Sequence, residues 1–263
     1  MRGAAEPLVP AVARAASILE LLAARPEIAL GPTELARRLR LPKSSVANLC
    51  LELAEAGLLR RTDGGYRLGR KLVELGGAYL STAGPLDEFY QACPELEVAS
   101  RETMQLAVLE GLDVVYVARH DGAQPVRLAS EIGRRLPATC TALGKAALAS
   151  LDSGRLKERL AGVSDLPALT PNSHRTVEAL LADLEVVRER GYAVDDEETM
   201  LGIVCYAVAI PSRQPGESPY GASVTLFKAR VTDPLREALV ADLRRLAGRL
   251  SHPLRRVQAA GSR

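Results

Sequence analysis

Three short helical patterns followed by an arginine-rich hairpin signal constrain the fold of this chain more than any other feature. Apolar residues at helical spacing predict a first helix over Ala11–Ala24. Gly31-Pro32 opens a second, short helix, because proline is tolerated at the first helical position. After a turn at Arg40-Leu41, a third helix is predicted over Pro42–Ala56. The face of the first helix that we expect to be buried consists of Val12, Ala15, Ala16, Leu19 and Leu22.

The third helix separates an apolar stripe from a polar side that begins with a cation. The stripe predicted to be buried consists of Val46, Leu49, Cys50 and Leu53. The polar side consists of Lys43, Ser44, Ser45, Asn48 and Glu52. Such a side can enter the major groove of DNA, because short side chains allow close approach and a helix N-terminus attracts phosphate. We therefore expect Lys43 to contact phosphate and the two serines and Asn48 to approach bases.

A basic β-hairpin follows the third helix. Leu58–Arg61 and Tyr66–Leu68 flank a glycine-rich turn, and Arg60 and Arg61 are expected to contact phosphates. Three helices and this hairpin predict a winged helix-turn-helix domain over residues 1–70. The first eighty residues hold twelve Lys and Arg against eight Asp and Glu, which is typical of a module that meets a polyanion. A solvated basic surface on a helical subdomain that binds no nucleic acid stays open as the alternative.

The rest of the chain predicts a linker helix within residues 71–84 and a second domain over residues 85–258. In the helix expected over Arg70–Ser81, a face of Leu72, Leu75, Ala78 and Tyr79 is either a dimer seam or packing within its own domain. Strands grouped with helices, without regular βαβ alternation, predict an α+β domain with an antiparallel sheet flanked by helices. The predicted helices are Leu86–Ser100 (kinked at Pro94), Thr139–Ser150, His174–Arg190 and Pro234–Leu250. The predicted strands are Met104–Leu109, Val114–Ala118, Val126–Ala129, Ile203–Ile210 and Tyr220–Phe227.

The sequence argues against a membrane span, a disulfide framework and a metal site. The longest apolar run, Ile203–Ile210, is far shorter than the roughly 20 residues that span a bilayer. The N-terminal residues contain no secretory signal pattern, and the four cysteines are widely spaced, so we expect reduced thiols in a cytoplasmic protein. His120, His174 and His252 lack ligand spacing, which predicts that the chain holds no metal and no cofactor.

Two groups of motifs resemble the IclR family of bacterial transcription regulators, from about Ala13 to Arg249. In the first domain they are Thr33-Glu34-Leu35-Ala36, Leu41-Pro42-Lys43-Ser44-Ser45 and Gly64-Gly65-Tyr66-Arg67-Leu68-Gly69. In the second they are Thr141-Ala142-Leu143-Gly144-Lys145-Ala146, then Gly191-Tyr192-Ala193-Val194-Asp195-Asp196-Glu197-Glu198 followed by Gly202, Cys205 and Ile210-Pro211. Two positions depart from the family pattern. Asn48 stands where members commonly have Arg, which implies a different operator sequence, and Thr139 stands where relatives often have His or Tyr.

The resemblance implies a GAF-like second domain with a ligand pocket. Carried over position by position, the pocket consists of Ala142, Leu143, Gly144, Asp195, Cys205, Ser223 and Thr225. Physical reasoning agrees, because Ser223 and Thr225 share one face of a strand and free N–H groups at a helix start can hold a carboxylate. The implied ligand is a small organic acid with a second polar group. Asp195 would accept a hydrogen bond from a ligand hydroxyl or stay protonated in a buried position.

These inferences predict a ligand-responsive transcription regulator, a repressor of a catabolic operon, and not an enzyme. A homodimer, or a dimer of dimers, would bind a partly palindromic double-stranded DNA operator, and the acid would shift the population of DNA-compatible arrangements. Two alternatives stay open. In one, Cys205 is the nucleophile of an enzyme, although a thiol nucleophile needs a base or a lowered pKa. In the other, the chain binds DNA without an effector because side chains fill the pocket.

Overall fold

The computed structural model describes residues 7–82, 85–123, 126, 131–210 and 218–251. The chain divides into two units, Met1–Thr82 and Ala83–Arg263. Among the described helices, none combines the length and the apolar character that crossing a membrane requires.

The first unit is a winged helix-turn-helix, as the sequence predicts. Its elements are α1 (Pro10–Ala23), α2 (Pro32–Leu39), α3 (Lys43–Glu55), β1 (Leu59–Thr62), β2 (Gly65–Leu68) and α4 (Lys71–Thr82). Strands β1 and β2 pair antiparallel to form the wing. Leu30 bonds to Tyr66 in both directions, at 2.9 and 3.1 Å, and so ties the segment before α2 to the wing. The buried α3 stripe of Val46, Cys50 and Leu53 packs into the core of the unit, with Leu49 partly buried beside it.

The face of α1 that the sequence predicts to be buried is confirmed only in part. Leu22 belongs to the core of the unit, and Ala15 and Leu19 are partly buried against it. Ile18 and Leu22 are fully buried, whereas Val12 is 67% exposed and Ala16 is also exposed. In an alanine-rich helix the helical spacing fits two adjacent faces, because small residues contribute little to the pattern. The face that carries the large side chain of Ile18 is the one that the core selects, since it removes more apolar surface from water.

The second unit is α+β, as the sequence predicts. Its helices are α5 (Pro85–Ala92), α6 (Ala142–Ala149), α7 (Ser153–Leu160), α8 (Val177–Arg190) and α9 (Asp233–Ser251). Its strands are β3 (Thr103–Glu110), β4 (Asp113–Asp121), β5 (Arg135–Pro137), β6 (Ala193–Asp196), β7 (Ile203–Ile210) and β8 (Tyr220–Phe227). The strands form one sheet in the order β5-β4-β3-β8-β7-β6, with every neighbouring pair antiparallel. Helices α6 and α8 share a core with one sheet face, and α9 packs on β7 and β8 with α5 against it.

Several predicted boundaries in the second unit are wrong for local reasons. The helix expected over Leu86–Ser100 ends at Ala92 and continues as two 3-10 turns, because Pro94 has no N–H for an α-helical bond. Helices α6 and α8 begin later than expected because Thr141 and Thr176 cap them, each accepting the N–H three residues on. Three elements were not predicted: β5, α7 and β6. The strand predicted over Val126–Ala129 lies, apart from Val126, outside the described residues.

Candidate functional site

A cavity of about 300 Å³ opens in the second unit against the sheet and the start of α6. Five of the seven residues that the family resemblance assigns to a pocket line it: Ala142, Leu143, Asp195, Cys205 and Ser223. Gly144 and Thr225 do not line it. The volume is at the small end of the roughly 300–1,000 Å³ typical of ligand pockets. Because the cavity exists, the side chains around it do not fill the pocket.

The floor of the cavity is one face of the sheet, and strand register brings its polar residues together. Asp195 is the cross-strand partner of Cys205, which is in turn the partner of Thr225. Ser223 is likewise the partner of Gln105. Directly paired residues lie on the same face of a sheet, so these side chains form two adjacent rows. The Thr225 hydroxyl donates to the Cys205 sulfur at 3.2 Å. Thr225 therefore does not line the cavity itself but positions Cys205, which does.

Two glycines allow the start of α6 to approach its neighbours. A Cβ on Gly144 would lie 2.2 Å from the Cα of Ala138, and one on Gly221 would lie 2.8 Å from the carbonyl oxygen of Leu143. The backbone N–H of Gly144 donates to the Thr141 hydroxyl at 3.1 Å and is therefore not available to a ligand, which corrects one expectation for this residue. Among the described residues, no acceptor is found for the N–H groups of Ala142 and Leu143. These two groups remain for an anion at the positive end of the helix.

Asp195 is buried, 1% exposed, and held in one orientation by its own turn. Its Oδ1 accepts the backbone N–H groups of Glu198 at 2.7 Å and Thr199 at 3.1 Å, and its Oδ2 accepts the Thr199 hydroxyl. Burial raises the pKa of Asp195 above its ordinary value, although these hydrogen bonds favour the ionised form and oppose the shift. The side chain therefore presents a fixed polar group to the cavity.

The environment of Cys205 does not suit a nucleophile. Burial raises the pKa of its thiol well above the ordinary value, and the nearby Asp195 carboxyl raises it further. A thiol nucleophile reacts as the thiolate, which needs the opposite shift. The raised pKa therefore argues against Cys205 as a nucleophile.

Sequence reasoning missed part of the cavity wall. Gln105, Tyr116 and Arg134 add polar groups, and Leu136, Leu169, Thr199 and Met200 complete the wall. Gln105 offered one signal, because it is the one polar residue within the apolar run Met104–Leu109 of β3. Arg134 and Leu169 lie on loops, whose path no periodic pattern specifies.

A buried ion cluster fastens the turn that carries Asp195 to α6. The Nζ of Lys145, which is 1% exposed, lies 2.7 Å from Asp183 Oδ2 and also pairs with Glu198. The Nε2 of His174 lies 3.2 Å from the same Asp183 oxygen, a contact that the spacing of the histidines along the sequence did not indicate. Atoms of His174, Asp183 and Glu198 lie within 4.8 Å of one another, as metal ligands do, but the Lys145 ammonium already occupies the cation position.

The pKa values of the two carboxylates in this cluster shift in opposite directions. Burial raises the pKa of Glu198 to about 7, against the opposing effect of the Lys145 ammonium. Burial alone would also raise the pKa of Asp183, but Lys145 and His174 hold it below its ordinary value. Glu198 is therefore the weaker acid of the two, and its Oε2 accepts no hydrogen bond among the described residues, although His174 Nε2 lies 3.9 Å away.

In the first unit, the residues predicted to contact DNA lie mostly on the surface. Lys43, Ser44 and Asn48 are exposed near the start of α3, and Arg60 and Arg61 are exposed on β1. Ser45 is half-buried, and its hydroxyl accepts a hydrogen bond from Arg14 at 3.4 Å. Arg14 of α1, which sequence reasoning missed, thus adds a cation beside the start of α3.

The wing contains an unfavourable charge arrangement. Arg60 and Arg67 are cross-strand partners on β1 and β2. Like charges directly opposite each other destabilise a sheet. Contact with a polyanion would offset this repulsion.

Comparison with known proteins identifies both units. The family model of the IclR helix-turn-helix domain matches residues 11–63, and the model of the bacterial transcriptional regulator IclR C-terminal domain matches residues 78–252. The transcriptional regulator KdgR of Escherichia coli (strain K12) is 32% identical over 245 residues, which is 92% of this chain and 92% of that protein.

Two solved structures extend the match to the whole fold. The repressor BlcR of Agrobacterium tumefaciens is 33% identical, with a TM-score of 0.58 over 95% of this chain and 98% of that chain. An IclR homologue from Microbacterium hydrocarbonoxydans, solved with 4-hydroxybenzoate, is 26% identical, with a TM-score of 0.76 over 93% of this chain and 99% of that chain. The chain belongs to the IclR family of bacterial transcriptional regulators.

Proposed function

We propose that this regulator is a repressor whose binding to a partly palindromic operator is modulated by a small organic acid, and that the genes it represses form a catabolic operon. The observation that carries the proposal is the cavity in which Asp195, Cys205 and Ser223 face the start of α6. Two N–H groups at a helix start, which have no acceptor in the described part of the chain, favour a carboxylate, and the sheet face offers hydrogen bonds to a second polar group. A solved relative, BlcR, is named a repressor, and another relative holds 4-hydroxybenzoate, an organic acid with a hydroxyl.

The DNA-binding half of the proposal rests on the exposed start of α3. Ser44 and Asn48 have the short polar side chains that can reach base edges, and asparagine pairs bidentately with adenine. Lys43, Arg60 and Arg61 surround them with positive charge for phosphates. Ser45 contributes less than expected to base contact, because it is half-buried and already bonded to Arg14.

A homodimer is part of the proposal. On α4, Leu75 is 52% exposed and Tyr79 is 51% exposed, and Val73 on the same helix is 77% exposed. Apolar side chains left in water on one helix favour burial against a second copy. Two copies would also match two half-sites about one helical turn apart on DNA.

The effector site is tested by a thermal-shift screen of small carboxylic acids on the full chain, followed by calorimetry on each hit. The variant Asp195→Ala should lose binding of the acid that stabilises the parent protein. The matched control is Asp196→Ala, since Asp196 is the next residue, is exposed and pairs with Lys228 outside the cavity. Unchanged affinity in Asp195→Ala would remove this residue from the site, and a screen without a hit would refute the effector.

A further inference from the structure

Arg134 brings to the cavity a positive charge that the residues carried over from the family do not supply. Its backbone is fixed at the edge of β4, because the N–H of Tyr116 donates to the Arg134 carbonyl at 3.0 Å and the N–H of Gly133 donates to the Tyr116 carbonyl at 2.7 Å. Its side chain lines the cavity from the solvent side. Within the described part of the chain, its guanidinium has no hydrogen bond and no ion pair.

The neighbouring Arg135 differs from Arg134 in its ion pairs. Arg135 pairs with Glu110 and lies 4.0 Å from Asp113, so its charge is compensated on the outer surface. Arg135 does not line the cavity. Of these two adjacent cations, only Arg134 faces the space where a ligand would bind.

Burial shifts the remaining titratable groups on the cavity wall toward their neutral forms. Burial raises the pKa of Asp195, of Cys205 and of Tyr116, so the neutral form of each is favoured relative to the free side chain. The carboxyl group of Asp195 is the one acid among the lining residues that the structure describes. The wall therefore favours an anion beside Arg134.

This position is separate from the anion position at the start of α6. Leu143 lies on Gly221 of β8, and the register runs Tyr116, Ala107, Gly221 across β4, β3 and β8. Neighbouring strands are about 4.8 Å apart and Arg134 lies one strand position beyond Tyr116, so the backbones of Arg134 and Gly221 are separated by roughly 14 Å at the level of the sheet. The two anchor points therefore start from different sides of the cavity, which suits two acid groups on one ligand.

We propose that the effector is a small dicarboxylate, with one carboxylate on the N–H groups of Ala142 and Leu143 and the other on the guanidinium of Arg134. The inference rests on the proposed function, because it uses the same cavity. Leu136 and Leu169, which also line the cavity, suit a short hydrocarbon spacer between the acids. An Arg–carboxylate contact is a charge-assisted hydrogen bond, which makes Arg134 a determinant of specificity for the second acid.

The test compares dicarboxylates with monocarboxylates of equal carbon number by isothermal titration calorimetry on the full chain. The probes are glutarate with pentanoate and adipate with hexanoate. We expect at least one diacid to bind tenfold or more tightly than its partner. Arg134→Leu should abolish this preference and leave monoacid binding unchanged, whereas the matched control Arg135→Leu should keep the preference.

The outcomes separate this inference from the function on which it rests. If monoacids bind as tightly as diacids, or Arg134→Leu keeps the preference, the dicarboxylate assignment is overturned. In that case loss of monoacid binding in Asp195→Ala would still support the proposed effector site. If none of the four probes binds, the dicarboxylate assignment is overturned, and a negative result in the wider acid screen would refute the effector as well.

Discussion

Replacing Lys145 with methionine should destabilise the second unit more than any exposed lysine substitution can. The ammonium is buried and pairs with Asp183 and Glu198, so Lys145→Met leaves buried carboxylate charge without its counter-ion. Removing one partner of a buried ion pair costs about 3–5 kcal/mol. In a domain of this size each kcal/mol lowers Tm by about 2–4 °C, so we expect the transition of the second unit to fall by about 6–20 °C.

The measurement is calorimetric unfolding of the full chain, with hydrogen exchange to locate the loss in the turn around Asp195. The matched control is Lys157→Met, because Lys157 is exposed on α7 and such substitutions usually stay within about 0.5 kcal/mol. Adding Glu198→Gln to Lys145→Met should recover part of the loss, since it removes one of the stranded charges. If the second unit of the Lys145→Met variant unfolds at the same temperature as that of Lys157→Met, the ion cluster does not stabilise this turn.

Three further predictions follow from the same contacts. Asn48→Ala should reduce the preference for one base pair of the operator by about 1–3 kcal/mol. Arg61→Ala should weaken binding to all DNA sequences alike and reduce the dependence of affinity on salt concentration. If Asn48→Ala loses the same affinity for operator and random duplex, Asn48 does not read a base. Cys205 should resist iodoacetamide at neutral pH in the folded protein, because its thiol pKa is raised; labelling as fast as a free thiol would contradict this. The raised pKa of Glu198 means that the folded state holds its proton more tightly than the unfolded chain. Its contribution to stability is therefore full below the ordinary value of 4.5 and is lost as pH rises through about 7. Between these two pH values the free energy of unfolding should therefore fall as pH rises. Glu198→Gln should remove this part of the pH dependence, and an unchanged pH dependence would mean that other groups cause it.

Local chemistry made much of the fold predictable from sequence. Strands β7 and β8 are found at the predicted boundaries, because each is a mostly apolar run of eight residues, nearly all of them buried or half-buried. The wing was equally clear from its glycine-rich turn and flanking arginines. Short elements were missed: β5 has three residues and β6 has four, too few for a period to show. Their pairing partners, β4 and β7, hold them in place through contacts distant in sequence.

The candidate site was predictable only where residues sit on regular elements or in motifs. Asp195, Cys205 and Ser223 were assigned through the family pattern, and strand register explains why they meet. The ion cluster around Lys145 could not be predicted, because Asp183 is 38 residues and Glu198 53 residues away along the chain. The role of Arg134 could not be predicted either, because only the fold determines which of the two adjacent arginines lines the cavity.

The most direct test of the account is fluorescence anisotropy of the full chain with a labelled duplex taken from upstream of its own gene, at modest ionic strength. The account predicts tighter binding to this duplex than to a scrambled duplex of equal composition, and a change in affinity when a cavity-binding acid is added. Equal binding to both duplexes, with and without the acids, would contradict it.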